Sequence, residues 1–359
     1  MHLLAIDWAF ILEKLVLIVS IVSISLVIAM YETYAERKVA AVMQDRLGPN
    51  RAGPFGLFQP LADGLKLFMK EEIIPNNSNK FLFVLGPCLA MLTAMMTSAV
   101  IPWGGTFHIT LFGMDRHVSL QIADINIGIL YIFGVVSMGV YGIMIGGWAS
   151  NNKFSLIAAL RGASQVISYE LPMGLSLIAL LMLTGSLKMS VIMGQQLDNW
   201  YYVFYQPLGF LIFLVCAFAE CNRTPFDLPE AENELNFGYH QEYSSMKLGF
   251  YLFAEYINMF ISSAVMATLF FGGYDIPFVN DTSLAASWGT NLVVGLQSLA
   301  LLVKVAGFIF LFMWVRWTIP RFRYDQLMNL GWKRLIPLAL INMVVTAFIV
   351  LLKENGWKF

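Results

Sequence analysis

A chain of 359 residues that is 58% hydrophobic and only 13% charged is not composed like a soluble domain, where about a quarter of residues are charged. Its formal net charge of −1 and the lack of any Lys/Arg cluster interleaved with aromatics argue against nucleic-acid binding. The cysteines Cys88, Cys216 and Cys221 contain no CxxC pair and the histidines His2, His108, His117 and His240 are scattered, so the usual zinc, iron–sulfur and c-type haem spacings are absent and any electron carriers belong to a partner.

Apolar runs near twenty residues predict transmembrane helices rather than barrel strands. Eight are expected: Trp8 to Met30, Phe81 to Ile101, Ile125 to Gly147, Phe154 to Gly185, Tyr202 to Ala219, Leu248 to Gly272, Leu292 to Trp314 and Ile336 to Leu352. The reading is an all-α membrane protein, a single polytopic bundle over residues 1–359. The opening MHLLAIDWAFILEK has no basic flank or small-residue cleavage signature and reads as the first span, with Glu13 and Lys14 snorkelling at its outer end.

The first loop, 31–80, opens with ETYAERK, turns through GPNRAGPFG and presents LFQPLADGLKLFMKEE. There Leu57, Leu61, Leu65 and Phe68 recur at helical spacing while Gln59, Asp63, Lys66 and Lys70 mark the other face. This predicts an interfacial amphipathic helix, which either anchors the chain or walls a cavity at the membrane surface.

The fourth span begins RGASQVISYELPMGLSL and carries Glu170 near its middle, where a charge costs on the order of 2.5–3.5 kcal/mol on insertion scales. The fifth loop, 218–247, with its flanks holds Glu220, Asp227, Glu230, Glu232, Glu234, Glu242 and Glu255 between two apolar runs. Pro229 is expected to open a short helix with Glu230 and Glu234 four apart on one face, where like charges repel. Lys304, deep in the seventh span, calls for a carboxylate partner. The segment 273–291 has no Lys or Arg and reads as an outward surface loop. In the last inside loop, 315–335, Arg321, Arg323 and Asp325 alternate with aromatics, which suits docking to an acidic partner or to the glutamates of loop five.

Lys and Arg concentrate in the first, third, fifth and seventh loops, with only Arg116, Lys188, Lys353 and Lys358 opposite. The odd loops are therefore expected on the cytoplasmic or matrix side and both termini outside. No Ser/His/Asp or Cys/His pattern, H-E-x-x-H or phosphate-cradling glycine loop appears. What remains is a chain of carboxylates whose protonation is coupled in a low dielectric, as a proton relay requires.

Four stretches carry a resemblance: ERKVAAVMQDRLGPNRAGPFGLFQPLADGLKLFMKE, RGASQVISYE, AECNRTPFDLPEAENELNFGYHQEYSSMKLGFYLFAEY and RFRYDQLMNLGWKRLIPLAL. In order, from Glu36 to Leu340, they resemble the motifs of the quinone-site membrane subunit of respiratory complex I, the proton-pumping NADH:quinone oxidoreductase. Cys221 stands where the family pattern has Thr, Asn233 where it has Ser or Gln and Ala52 where it has Val; none removes a charge, though Cys221 places a thiol near the chamber.

The resemblance implies a subunit at the junction of membrane and peripheral arms that forms the quinone tunnel. NADH, FMN and iron–sulfur clusters are then held by peripheral partners, quinone is the substrate, and antiporter-like membrane subunits lie beyond. By motif, the tunnel positions are Arg37, Arg46, Arg51, Phe55, Asp63, Lys66, Arg223, Phe226, Asp227 and Arg321. The acidic path comprises Glu170, Glu220, Glu230, Glu232, Glu234, Glu242 and Glu255, with Tyr169 and Tyr256 beside it. A bacterial inner membrane is the expected location. The rival readings are the related membrane subunit of an ion-translocating hydrogenase, against which GPNRAGPFG and LADGLK weigh, and a proton-coupled secondary transporter, for which no internal repeat is found.

Overall fold

The computed structural model describes residues 8–111, 114–197, 201–277 and 289–355. Helix α1, Trp8–Met43, has 36 residues and runs about 54 Å, far beyond the ~30 Å of bilayer hydrocarbon. The helix continues past Met30, where the first apolar run ends: YETYAERK stays helical, with Glu32 and Glu36 on its buried side. The chain then turns through Asp45 and Gly48, both at positive φ. Gly56 follows at φ +81, where any Cβ would strike the Pro49 carbonyl, so only glycine closes this turn.

Helix α2, Gln59–Met69, starts with Pro60 in its first turn. Helix α3, Lys80–Thr97, is capped by Asn79, whose Oδ1 accepts from the Phe81 and Leu82 amides at 3.2 and 3.4 Å. Strands β1, Thr106–Leu111, and β2, Met114–Ser119, pair antiparallel as a hairpin with His108 opposite His117. Glu13 and Lys14 do not simply snorkel: Glu13 reaches Arg116 at 3.9 Å and Lys14 donates to the Gln121 carbonyl at 3.2 Å, tying α1 to the hairpin region.

Helices α4, Gly128–Ala149, and α5, Lys153–Thr184, follow; α5 has 32 residues and ends at Gly185 in the left-handed conformation. After α6, Met189–Leu197, the expected fifth span is broken into α7, Tyr202–Tyr205, and α8, Pro207–Glu220. Pro207 supplies no N–H and restarts the helix. The buried Gln206 before it is satisfied by donating to Thr346 at 2.6 Å and accepting from Asn342 at 2.9 Å. With 14 residues α8 is about 21 Å long, shorter than the hydrocarbon core. Among the described residues, seven helices are long and apolar enough to cross a membrane, and α8 is the short eighth.

Loop five contains α9, Glu232–Leu235. Helix α10, Ser245–Phe270, is the most enclosed of the long helices and packs against α1, α2, α3 and α11, Thr290–Thr318. Tyr251 of α10 rests on α4 at Gly146, where a Cβ would collide with its hydroxyl. Last come α12, Tyr324–Asn329, a π turn over Leu330–Leu335 and α13, Ile336–Glu354, which together form one apolar rod. The charge of Asp275 supplies the carboxylate expected for Lys304, whose Nζ also donates to the carbonyls of Phe271, Gly273 and Asp275 at 2.7, 2.9 and 2.7 Å. These are orphan carbonyls just past α10, where a cation also suits the helix dipole. Of the segment 273–291, expected to face outward, residues 278–288 lie outside the described residues.

Candidate functional site

Helix α10 separates two polar cavities because Glu255 and Tyr256, adjacent in sequence, point about 100° apart around the helix. The Tyr256 side faces a cavity of about 200 Å³ between α1, α2 and α10. Met30, Thr33 and Arg37 line it from α1, and Asp63 and Lys66 from α2. Arg37 Nη1 meets Asp63 Oδ2 at 2.7 Å, and Gln59 steadies the other oxygen at 3.2 Å. This pair is partly exposed, so it positions side chains more than it stabilises the fold. The apolar residues Leu57, Leu61, Leu65 and Phe68 are exposed. Helix α2 thus presents its apolar stripe outward and lends Asp63 and Lys66 to the cavity wall.

Behind Tyr256 sits a buried charge cluster. The Tyr256 hydroxyl donates to Glu36 Oε2 at 2.8 Å, Arg316 Nη1 meets Glu36 Oε1 at 2.6 Å, and Arg223 Nη1 lies 3.8 Å from Oε2. The Arg223 guanidinium also covers the Tyr256 ring at 4.1 Å. Burial works against the Arg223 charge, but Tyr256, Glu36, Glu255 and Glu230 around it bind the proton more firmly still.

Two residues of loop five lie close by. Asp227 is buried and takes Arg321 Nη2 on Oδ2 at 2.6 Å, while the Phe322 amide donates to the Pro225 carbonyl at 3.1 Å, joining loop seven to loop five. Burial pushes the Asp227 carboxyl up to about 7, and Glu230 adds to this against the pull of Arg321, Arg316 and Arg223. Phe226 packs edge-on to Tyr169 at 5.3 Å. Gln165 of α5 fixes the loop backbone by donating to the carbonyls of Ala219 and Phe226 at 2.8 and 2.7 Å.

The Glu255 side faces a smaller cavity of about 80 Å³, with Glu220, Asn222, Tyr239, Asn258 and Ser262 among its polar lining and apolar walls from α3, α4 and α5. Tyr239 donates to Glu255 Oε1 at 3.1 Å. Glu220 leaves Oε2 buried without a hydrogen-bond partner among the described residues. Glu170 on α5 accepts from the Ser137 hydroxyl at 2.8 Å and stands close enough to Glu220 to act on its carboxyl. Glu230 acts in the same way on both Asp227 and Glu255. Among the described residues, no guanidinium or ammonium group lines this cavity.

Other sequence-predicted residues stand apart. Arg46, Arg51 and Phe55 are exposed on the loop between α1 and α2, where the Phe55 carbonyl accepts from Tyr34 at 2.7 Å. The expected helix opening at Pro229 does not form: α9 starts three residues later, so Glu230 and Glu234 do not share a helix face. Glu234 is exposed and pairs with Arg161 at 2.7 Å. Glu242 accepts from Asn152 at 2.7 Å and lines a surface groove with Asn76, Asn77 and Lys153. The side chain of Glu232 lies outside the described residues. The Tyr169 hydroxyl donates to the Leu327 carbonyl at 2.9 Å. Arg321 meets Asp227 rather than a glutamate, and Arg323 pairs with Asp325 in its own loop at 3.4 Å. Cys221 is buried and burial pushes its thiol upward, with Glu220 adding to the effect, so no reactive thiolate is present.

Sequence reasoning missed Glu32, Glu36, Tyr239 and Arg316 as members of the site. The readable signal was Glu32 and Glu36 spaced four apart directly after an apolar run, which places both on one helix face.

A family model described as NADH dehydrogenase matches residues 15–347. The chain is 65% identical over 343 residues to the first H-type subunit of the NADH-quinone oxidoreductase of Cytophaga hutchinsonii, covering 96% of this chain and 98% of that protein. It is 64% identical over 346 residues to the H-type subunit of the NADH-quinone oxidoreductase of Flavobacterium psychrophilum, covering 96% and 99%. Against the eighth subunit of the NADH-quinone oxidoreductase of Rhodothermus marinus it is 47% identical over 333 residues, covering 91% and 94%.

Proposed function

The chain belongs to the NADH dehydrogenase family as an H-type membrane subunit of NADH-quinone oxidoreductase, complex I, and from that premise we propose that its two cavities divide quinone reduction from charge relay. The cavity between α1, α2 and α10 belongs to the quinone path. Reducing a quinone to quinol takes two electrons and two protons. The electrons come from an iron–sulfur cluster of a peripheral partner, which receives them from NADH through flavin. Arg37, Lys66 and Tyr256 face the developing negative charge, two as cations and one as a proton donor.

The cavity beyond α10 belongs to the relay. Asp227, Glu230, Glu255, Glu220 and Glu170 follow one another from loop five into the bundle, each acting on the next or sharing a cavity with it. A proton or charge change at Tyr256 is felt through Arg223 by Glu255, and the acids of the smaller cavity redistribute protons toward antiporter-like partners. The odd-numbered loops face the cytoplasm of a bacterial inner membrane, with the peripheral arm seated on them; the basic loops one and seven support this orientation.

The observation that carries the reading is Arg223, which touches Tyr256 on one side of α10 and acts with Glu255 on the other. The test is to make Glu255→Gln and Glu220→Gln in the complete complex reconstituted into vesicles. Full assembly with quinone turnover and proton pumping both cut on the order of tenfold or more is the expected result. Unchanged pumping in both variants sinks the relay.

A further inference from the structure

Glu32 is a buried acid that this mechanism leaves unused. It lies on α1 one turn before Glu36, is 3% exposed, and neither carboxyl oxygen has a hydrogen-bond partner among the described residues. Arg223 and Glu36 are the charged groups acting on it. Arg223 Nε and Nη2 also have no hydrogen-bond partner among the described residues. Glu36 by contrast is well served, with Arg316 at 2.6 Å on one oxygen and the Tyr256 hydroxyl at 2.8 Å on the other.

Two carboxyls one turn apart in a low dielectric do not both ionise without cost, and the one lacking hydrogen bonds loses most by ionising. Glu36 holds the stabilising partners, so the negative charge belongs there. The attraction of Arg223 for Glu32 is shared with Glu36, Glu255 and Glu230. Glu32 does not line the quinone-side cavity; Met30, Thr33 and Arg37 do so from the neighbouring face of α1. Glu36, one turn on along the same helix, joins it to the cavity wall by accepting from the Tyr256 hydroxyl.

We propose that Glu32 carries a proton in the resting enzyme and resupplies Tyr256 after that phenol has given its proton to the reduced quinone. In the step, the Glu32 carboxyl proton passes to the Glu36 carboxylate and Glu36 passes one on to the Tyr256 phenolate. Glu32 is left ionised opposite Arg223, Glu36 is ionised as before, and Tyr256 is neutral. No electron moves and the net charge of the cluster is unchanged. The groups that set this balance are Glu36 on α1, Tyr256 and Glu255 on α10, Arg316 on α11, and Arg223 and Glu230 from loop five.

This inference rests on the quinone reading, and the test separates the two. Glu32→Gln and Glu32→Asp are made in the complete complex, and subunit composition is checked first. Quinone turnover is followed across pH, and infrared difference spectra in heavy water follow protonated carboxyl groups during reduction. Glu32→Gln is expected to lose about tenfold or more of quinone turnover, most severely at high pH where protons are scarce, and to lack one carboxylic-acid band. Glu32→Asp, which keeps the acid, restores much of the turnover and shifts that band rather than deleting it. Should Glu32→Gln fail to assemble, the Asp variant decides by the same two readouts. A Glu32→Gln complex with wild-type turnover at every pH and an unchanged carboxyl band overturns the proposal. Arg37→Met and Lys66→Met are run beside it. If they leave the quinone KM unchanged, the quinone reading fails; if they raise it while the Glu32 variants are silent, only the Glu32 proposal fails.

Discussion

The two sides of α10 are built on opposite electrostatic principles. Around Glu36, fixed guanidinium groups from loop five and α11 compensate buried negative charge at short distances. Around Glu220 and Glu255, the hydrogen-bonding groups are neutral, and the cavity between the two acids admits water-sized molecules. Glu36 is held directly by two guanidinium groups and a phenol, whereas Glu255 has a phenol as its hydrogen-bond donor and feels Arg223 from farther off, which leaves it freer to trade its proton. The first arrangement suits holding a field and the second suits changing one.

Arg223 is where the two sides are most easily made alike. Arg223→Met removes the cation from a cluster in which Glu36 stays buried, and a buried charge stripped of a partner costs about 3–5 kcal/mol. Loss of this chain from the assembled complex, read by subunit content in purified membranes, is the expected result. A complex of normal composition and thermal stability would mean that Arg316 and Tyr256 suffice and that the guanidinium serves turnover alone.

Changing the pH separates the clamped from the exchangeable acids by a smaller effect. The folded Asp227 carboxyl is pushed up to about 7 from an ordinary 3.8, so the folded state binds this proton more tightly than the unfolded chain does. The associated stability is complete below about 3.8 and is lost as pH rises through about 7. The thermal inactivation temperature of the wild-type complex is therefore expected to fall as pH rises from about 3.8 to about 7, and Asp227→Asn is expected to flatten that part of the slope. Parallel curves for the two proteins would show that Arg321 keeps Asp227 ionised throughout.

The smallest effect belongs to Glu234. Glu234→Gln makes the same chemical change as Glu255→Gln but at an exposed pair with Arg161, where such contacts are worth about 0–1 kcal/mol. Turnover and stability within error of the wild type are expected. A loss as large as that of Glu255→Gln would show that loop five acts through its summed charge rather than through placed carboxyls.

The apolar runs made the bundle legible, since length and hydropathy decide what crosses a membrane. They did not show where α1 stops, because YETYAERK reads as a polar loop when exposure is inferred from composition; it is helical because its acids turn inward to arginines nearly 190 and 280 positions away in the chain. The four-residue spacing of Glu32 and Glu36 shows that they share a face, but nothing in the spacing says which arginines they meet. The break before Pro207 was legible in principle from Gln-Pro within an apolar run. The acidity of loop five was visible at once, but its division was not. Glu220, Glu230 and Glu255 gather at one place while Glu234 and Glu242 turn away to Arg161 and Asn152, a distinction made by the loop's fold rather than its spacing.

The grip of Lys304 on the three carbonyls beyond α10 has a mechanical meaning. It fastens one end of a long rod whose other half carries Glu255 and Tyr256, about 24 Å away along the axis. A rod pinned at one end moves by swinging, and displacement grows with distance from the pin. Were such a rod to tilt with Phe270 held in place, the 255–256 pair would shift sideways and space would pass from one cavity to the other. The two chambers are in that sense the two sides of a single lever.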